Sequence, residues 1–205
     1  MDAPRFVHLE SVTSTQDVAR DMPIGSVVLA DHQSRGRGRL SHRWESPPGT
    51  ALLVSFVIAP NPLLSLAAGV AAAEACDRGV RLKWPNDLLL DGRKVGGILV
   101  EASPAKAVCG IGINLTWAPE GAGQLDESRD QLLDRLRNSM EGWTSAPAGE
   151  VIARWRELSD TIGKRVRVEL PDRNFEGTAS DIDAAGNLIV DGTAVSAGSV
   201  TVLSG

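Results

Sequence analysis

Apolar residues recur along this chain with two periods, and the periods divide it into strands and helices. Residues 26–31 (Ser-Val-Val-Leu-Ala-Asp) and 50–59 (Thr-Ala-Leu-Leu-Val-Ser-Phe-Val-Ile-Ala) are short, nearly continuous apolar runs, the pattern of strands buried within a sheet. A weak alternation over 5–10 predicts another strand. Runs at 81–84, 87–90, 95–102 and 106–114 predict four more, with Asp91-Gly92 as a hairpin turn between two of them. Helical signals lie between these runs. Ser14-Thr15-Gln16-Asp17 opens a short helix with a hydroxyl available to cap it. Asn61-Pro62 supplies an N-cap and a first-turn proline for an alanine-rich helix over 63–78 that stops at Gly79. Leu132, Leu133, Leu136 and Met140 mark one helical face behind a Ser128/Gln131 capping box. Val151, Ile152, Trp155 and Leu158 mark a second, with Gly163 as its stop.

Two segments lack either period. Residues 33–49 are rich in Arg and Gly and predict an exposed loop, partly mobile without a ligand; 117–127 predict a surface loop. Beyond Ile162 the texture changes to short strands (165–170, 174–181, 187–190, 193–195, 199–203) punctuated by the turns Asp183–Asn187 and Asp191-Gly192. The expectation is an α+β fold: a mixed β-sheet domain flanked by helices over 1–161, and a small C-terminal β-barrel over 162–205, too small for a large core of its own.

Composition narrows the function class. The chain has 205 residues, 42% of them hydrophobic and 23% charged, as in ordinary soluble globular proteins. A net charge of -5 argues against a general nucleic-acid coat. The N-terminus has no apolar h-region, so no signal peptide is expected, and no run approaches the roughly 18 apolar residues of a membrane span. Cys76 and Cys109 lie in apolar contexts without metal-type spacing, which suits a reduced, cytoplasmic protein with buried thiols. The cations are mostly arginines; Lys83, Lys94, Lys106 and Lys164 are the four lysines. Two of them fall in the motifs described next, where an ammonium rather than a guanidinium is the chemistry called for.

The candidate chemistry is concentrated in three places. Gln33 to Arg43 carries Arg35, Arg37, Arg39 and Arg43 and no acid, with Gly36 and Gly38 allowing close approach to a ligand. A phosphate or carboxylate here would meet several forked donors, and Trp44 with Ser46-Pro47 anchors one end of the segment, as a lid requires. Lys94 follows a turn and heads an apolar strand, where an ammonium can hold a carboxylate and stabilise charge at an adjacent phosphorus. Gly96-Gly97 remove side chains where a ligand could lie. Lys83-Trp84-Pro85-Asn86-Asp87 is the most specific run: proline fixes the backbone beside two polar side chains. There is no Gly-x-x-x-x-Gly-Lys-Ser/Thr, so this is not a P-loop enzyme.

In order and approximate spacing, Ser14-Thr15-Gln16, Gln33 to Arg39, Lys83 to Asp87, Lys94 to Leu99 and Gly110-Ile111-Gly112-Ile113-Asn114 resemble the motifs of biotin protein ligases. The C-terminal segment ending Ala197 to Leu203 resembles that family's SH3-like barrel. The resemblance implies a class II synthetase-like catalytic domain, a short form lacking the N-terminal winged helix-turn-helix, and no nucleic-acid or membrane partner. It implies activation of biotin by ATP, brought with magnesium, to biotinyl-5′-AMP, then transfer to a lysine of a biotin carboxyl carrier protein. By that pattern Ser14, Thr15, Gln16 and Gln33 recognise the biotin head group, with backbone of Gly97 completing the shell. Lys94 neutralises carboxylate and α-phosphate; Arg37, Gly38 and Arg39 close over the intermediate; Trp44 packs on the adenine; Asn114 lies near the nucleotide and its magnesium. Asp87 either orients the acceptor lysine or takes its proton. No dedicated metal site is expected, and a homodimer is compatible with the pattern. Gln16 departs from the usual Asn and is longer by a methylene. Two alternatives stand beside this reading: a lipoate–protein ligase-like transferase and a non-enzymatic binding or regulatory module. Acids at 126, 127, 130, 134, 141 and 150 near the two later helices disfavour a DNA-binding version of the latter.

Overall fold

The computed structural model describes residues 3–203. Its larger sheet has seven strands: β1 (Phe6–Leu9), β2 (Val27–Ala30), β5 (Ala51–Ile58), β6 (Arg81–Lys83), β7 (Asp87–Leu90), β8 (Arg93–Ala102) and β9 (Ala107–Asn114). Their spatial order is β1-β2-β5-β9-β8-β7-β6, and only the β1–β2 pair is parallel. These strands lie close to the apolar runs that predict them.

Side-chain alternation divides the sheet into a closed face and a partly open one. On β5, Leu52, Val54 and Phe56 point to the closed face; on β9, Cys109, Ile111 and Ile113 do the same. They meet helix α2 (Leu64–Cys76), which is apolar all round because it is covered twice. The sheet lies on one side of it, and helices α3 (Arg129–Ser145) and α4 (Ala148–Leu158) pack on the other. Leu132, Leu133, Leu136 and Met140 of α3 and Val151, Ile152 and Trp155 of α4 are all buried. Each large side chain so buried stabilises the fold by about 1.5–3 kcal/mol, and a one-residue slip would send a strand's whole set to the wrong face. On the opposite face, Val28, Val57 and Val108 form a small cluster with Ala19 of the six-residue helix α1 (Thr15–Arg20), and Leu9, Val18 and Met22 pack against it. The rest of that face is left for the site.

The second sheet is antiparallel throughout. It holds β10 (Arg165–Glu169), β11 (Asn174–Ile182), β12 (Leu188–Val190), β13 (Thr193–Val195) and β14 (Ser199–Val202), in the order β13-β12-β11-β10-β14. Its apolar residues Val166, Val168, Ile182, Leu188 and Val190 join the main core. Trp84 ties the two parts together: its indole Nε1 donates to the Gly186 carbonyl at 3.1 Å and its backbone N–H to Thr161 Oγ1 at 2.9 Å. Gly186 has φ +83° and approaches α2 closely; a Cβ there would lie 2.9 Å from Leu66 Cδ1. The turn is closed by Asp183, whose carboxylate accepts from Ala185 N, Asn187 N and Asn187 Nδ2. The Asn187 bonds above all hold that carboxyl below its ordinary range.

Four expectations are corrected. Ser14 is the N-cap of α1 by position, but its side chain caps nothing; it is buried and faces the cavity described below. The Ser128/Gln131 capping box does not form, since Ser128 makes no side-chain cap bond. The alanine-rich helix begins at Leu64 after a turn in which Asn61 Oδ1 accepts from Leu63 N, and it ends at Asp77, which adopts the left-handed conformation before Gly79 is reached. Residues 33–49 are not a structureless loop. They contain a two-strand ladder, β3 (Gly36–Arg37) against β4 (Arg43–Trp44). No helix among the described residues is long and apolar enough to cross a membrane.

Cys76 and Cys109 are both free and buried, and burial pushes each thiol up to about 12. The thiolate is the reactive form, so both groups are inert in the native state. A chromogenic disulfide reagent at pH 8 is expected to label neither cysteine in the folded protein and both after unfolding in guanidinium. Rapid labelling of the native protein would contradict this packing.

Candidate active site

The open face of the larger sheet carries a cavity of about 400 Å³, within the usual range for small-molecule sites. Its floor is made of glycines. Gly97 on β8 pairs with Gly112 on β9, and Leu99 pairs with Gly110. Three positions on one face thus carry no side chain. The β3–β4 ladder folds over this floor: a Cβ on Gly36 would come within 2.3 Å of the Trp44 carbonyl oxygen, so only glycine permits the ladder's close approach. The Trp44 ring lies on Gly112, where a Cβ would come within 2.6 Å of the indole, and beside Gly97. Trp44 is therefore part of the floor and wall, packed against the sheet.

Lys94 reaches the cavity because β8 is irregular. Leu88 pairs with Gly96 but Leu89 pairs with Lys94, so Val95 is an extra residue on β8. Val95 is buried in the helix-side core, and a Cβ on Gly96 would meet Leu88 and Ile113 there too. Two successive residues thus face the same side, and the alternation shifts by one. Without this bulge Lys94 would share the helix-side face with Ile98; with it, Lys94 joins Gly97, Leu99 and Glu101 over the site. Lys94 Nζ is then 2.6 Å from Asp87 Oδ1, and Lys83 Nζ approaches Asp87 Oδ2 at 3.9 Å. The neighbouring Asn86 is fixed by its own amide, which donates to the Ile98 carbonyl at 2.8 Å. Its Oδ1 accepts from Arg39 Nη1 at 3.3 Å.

At the α1 end lie Ser14, Thr15, Gln16 and Gln33. Gln33 Oε1 accepts from the Thr15 N–H at 2.7 Å, and Gln16 lies against Gly110, with Oε1 3.1 Å from Ser55 Oγ. Gln16 Nε2 faces the Leu99 carbonyl at 3.4 Å and Glu101 Oε2 at 3.3 Å. The extra methylene of Gln16 is accommodated by reaching down to the bare β9 backbone.

The arginines of the loop are not all unpaired. Arg37 Nη2 bonds Asp17 at 2.8 Å and Glu101 at 3.4 Å, so acids from α1 and β8 serve a segment that has none of its own between Gln33 and Arg43. Arg37 Nε, like Trp44 Nε1, is a buried donor without a protein partner, so both are ready to donate to a bound acceptor. Burial pulls the Arg39 guanidinium below its ordinary value, partly countered by the Asp87 carboxylate. Among the described residues lining the cavity, Arg37, Arg39, Arg43, Lys83 and Lys94 face only two acids, Asp87 and Glu169. The site is built for an anion.

Asn114 stands apart. It is buried, its amide donates to the Gly123 carbonyl at 3.0 Å, and it does not line the cavity. Gly38 does line it, with its N–H given to the His42 carbonyl at 2.8 Å. Sequence reasoning missed several contributors. Ser55 was hidden in an apolar strand, and Glu101 lies two residues beyond the Lys94–Leu99 motif. Glu169, Ser199 and Thr201 reach the cavity from β10 and β14, which no local pattern foretells.

Residues 8–116 match the biotin/lipoate A/B protein ligase family and residues 161–202 match the biotin protein ligase C terminal domain. The chain belongs to that ligase family. A biotin--[acetyl-CoA-carboxylase] ligase of Mycobacterium tuberculosis is 34% identical over 196 residues, covering 82% of this chain and 73% of the relative. A ligase of the same name from Paracoccus denitrificans is 34% identical over 212 residues, covering 82% and 84%. Among solved structures, the biotin protein ligase from Aquifex aeolicus in complex with biotin and ATP superposes with a TM-score of 0.82 at 26% identity, covering 96% of this chain and 97% of the other. In this ligase, then, the cavity with its glycine floor and cationic wall is the candidate active site.

The floor generates a direct test. Gly112→Ala should place a methyl group where the Trp44 ring lies and displace the β3–β4 ladder without unfolding the sheet. A red shift of tryptophan emission with an unchanged far-ultraviolet circular dichroism spectrum is expected. A variant spectrally identical to the parent would show that Trp44 is not held on Gly112.

Proposed function

We propose that this chain is a biotin--[biotin carboxyl-carrier protein] ligase, and that its chemistry runs across the cavity from the Gln16 end to the Lys94 end. The observation that carries this is the Lys94–Asp87 pair at 2.6 Å, at the edge of the same glycine-floored cavity that holds the Ser14–Gln16 and Gln33 polar group. The match of the C-terminal segment to the biotin protein ligase C terminal domain favours biotin over lipoate.

Ser14, Thr15, Gln16 and Gln33 take the ureido ring, whose donors and acceptor need partners when buried. The valeryl chain lies along the glycine floor beside Trp44. A carboxylate oxygen of biotin attacks the α-phosphorus of ATP; the new O–P bond forms as the bond to pyrophosphate breaks. Negative charge gathers on the phosphoryl oxygens, and Lys94 and Arg39 stabilise it there. Asp87 orients Lys94 for this task. Arg37 exchanges its contacts with Asp17 and Glu101 for ligand oxygens as the loop closes, and closure excludes water from a readily hydrolysed mixed anhydride. In the second step the acceptor lysine's amine attacks the biotinyl carbonyl carbon, the bond to AMP breaks, AMP leaves with the bonding pair, and the proton lost by the amine passes to solvent.

ATP brings its magnesium as a substrate complex, held chiefly by phosphates. Among the described residues there is no cluster of three or more acids, histidines or cysteines able to hold a metal ion. The acceptor is a lysine on a biotin carboxyl carrier domain; the relatives from Mycobacterium tuberculosis and Paracoccus denitrificans carry acetyl-CoA-carboxylase in their names, which supports a carboxylase as its source. A cytoplasmic location fits two free, buried cysteines.

Incubation with biotin, ATP, magnesium and a carrier domain should release pyrophosphate and add one biotinyl group to the carrier, read by mass spectrometry. Neither product from well-folded protein would defeat the assignment. Lys94→Ala should keep the native circular dichroism spectrum and lose about 100-fold or more in pyrophosphate release; near-parental activity would remove Lys94 from the first step. Arg39→Gly should separate the steps. Lys94 remains to support adenylation, but one forked donor and part of the loop are lost, so biotinyl-5′-AMP escapes and acylates bystander lysines. A streptavidin blot of an unrelated protein incubated with each variant reads this. Labelling no greater than with the parent would show that Arg39 does not retain the intermediate.

A further inference from the structure

Behind the cavity, one hydroxyl is wholly sealed from solvent. Ser55 of β5 has 0% exposure, faces α1 and does not line the cavity. It contacts two residues that do: Thr15 Oγ1 at 2.8 Å and Gln16 Oε1 at 3.1 Å. The directions of these hydrogen bonds follow from their neighbours. The other end of the Gln16 amide faces the Leu99 carbonyl and the Glu101 carboxylate, which are acceptors at neutral pH, so that end is the NH2 group. The amide oxygen must then face Ser55 and accept. A hydroxyl has one proton, so Ser55 spends it on Gln16 and accepts from Thr15. The Thr15 proton has two candidate acceptors, Ser55 at 2.8 Å and Gln33 Oε1 at 3.1 Å. Ser55 is nearer, and Gln33 Oε1 is already held by the Thr15 N–H at 2.7 Å. The Gln33 NH2 group is left beside Gly36, under the loop.

We propose that Ser55 is a positioning residue for substrate recognition: by giving its single proton to Gln16 and accepting from Thr15, it locks those two side chains in one donor–acceptor sense. The inference rests on the assignment of those two residues to the ureido ring. Its chemistry is the need of a ureido group, with two N–H donors and one carbonyl acceptor, for partners of fixed sense. Gln16 needs such a lock because it has one more rotatable bond than asparagine, and with Ser55 silenced its buried oxygen has no donor. The amide would then turn over or move off Gly110.

Four proteins test this: the parent, Ser55→Ala, Gln16→Met, and the double variant. Each is assayed for pyrophosphate release with biotin varied and with ATP varied, and for thermal midpoint. Ser55→Ala is expected to raise the biotin KM by about 10- to 100-fold, the range for stranding a buried polar partner. It should leave the ATP KM unaltered and kcat within about threefold, as loss of uniform binding requires. In the Gln16→Met background, Ser55→Ala should raise the biotin KM no further, because its target is gone. Ser55→Cys, similar in size with a weaker donor, should fall between parent and alanine variant, and it serves in place of an alanine variant that does not fold. An unchanged biotin KM in Ser55→Ala and Ser55→Cys overturns the proposal. So does an equal effect of Ser55→Ala on both substrates, or the same effect with and without Gln16, which would mark a packing defect. Should Gln16→Met itself bind biotin like the parent, the assignment of Gln16 to the ureido ring fails, and the proposal falls with it.

Discussion

A β-sheet face stays open for a ligand only where side chains are withheld from it, and the central constraint on this molecule is the withholding of Cβ atoms at Gly97, Gly110 and Gly112. The pairing register brings Gly97 opposite Gly112 and Gly110 opposite Leu99, so the bare positions are contiguous. That register is fixed from the other side of the sheet. Cys109, Ile111 and Ile113 alternate with the glycines and are buried against α2. The core that holds the strands in register thereby also determines which backbone lies bare. Gln16 rests on Gly110 and Trp44 on Gly112, so two sequence-distant segments use the same vacancies as seats.

Charge is arranged on that frame by backbone irregularity. The extra residue at Val95 turns Lys94 toward the cavity and into contact with Asp87. A lysine at a sheet edge facing solvent would be a free ammonium in water, worth little electrostatically. Beside a partly buried carboxylate its position is fixed, so in the proposed reaction no reorganisation would be needed when negative charge develops. Arg37 shows the opposite arrangement. It is paired with Asp17 and Glu101 while its Nε is sealed without an acceptor, so its present contacts leave part of its hydrogen-bonding capacity unused.

Most of the fold was legible in the chain because its strands and helices bury one face or both, and burial writes itself as period. The 50–59 and 106–114 runs are central strands for that reason, and the stripes at Leu132–Met140 and Val151–Trp155 are the inner faces of α3 and α4. Caps were less legible. Ser14 has the residue type of a cap, yet its hydroxyl is placed at the cavity, and a sequence cannot say which of two local demands a hydroxyl meets. The β3–β4 ladder was missed because two-residue strands have no period; what specifies it is the contact of Gly36 with the Trp44 backbone, eight residues away. The motifs supply many of the residues that line the cavity. Asn114, at the end of one motif, instead holds the 117–127 segment through the Gly123 carbonyl.

The residues that no motif could supply come from long-range packing, and they explain why the small C-terminal sheet belongs to the site. Glu169, Ser199 and Thr201 line the cavity, and Gly186, lacking a Cβ, lets the 183–187 turn of the same sheet settle on Leu63 and Leu66 of the α2 region. Trp84 then spans the junction, its indole bonded to Gly186 and its chain leading directly into Asn86 and Asp87. The segment that presents Asp87 to Lys94 is therefore braced by the second sheet. Loosening that brace would move the carboxylate, and with it the ammonium it orients, without altering any residue that touches substrate. The sheet that appears to be an appendage in sequence is, in three dimensions, the outer wall of the cavity and the support for its most charged corner.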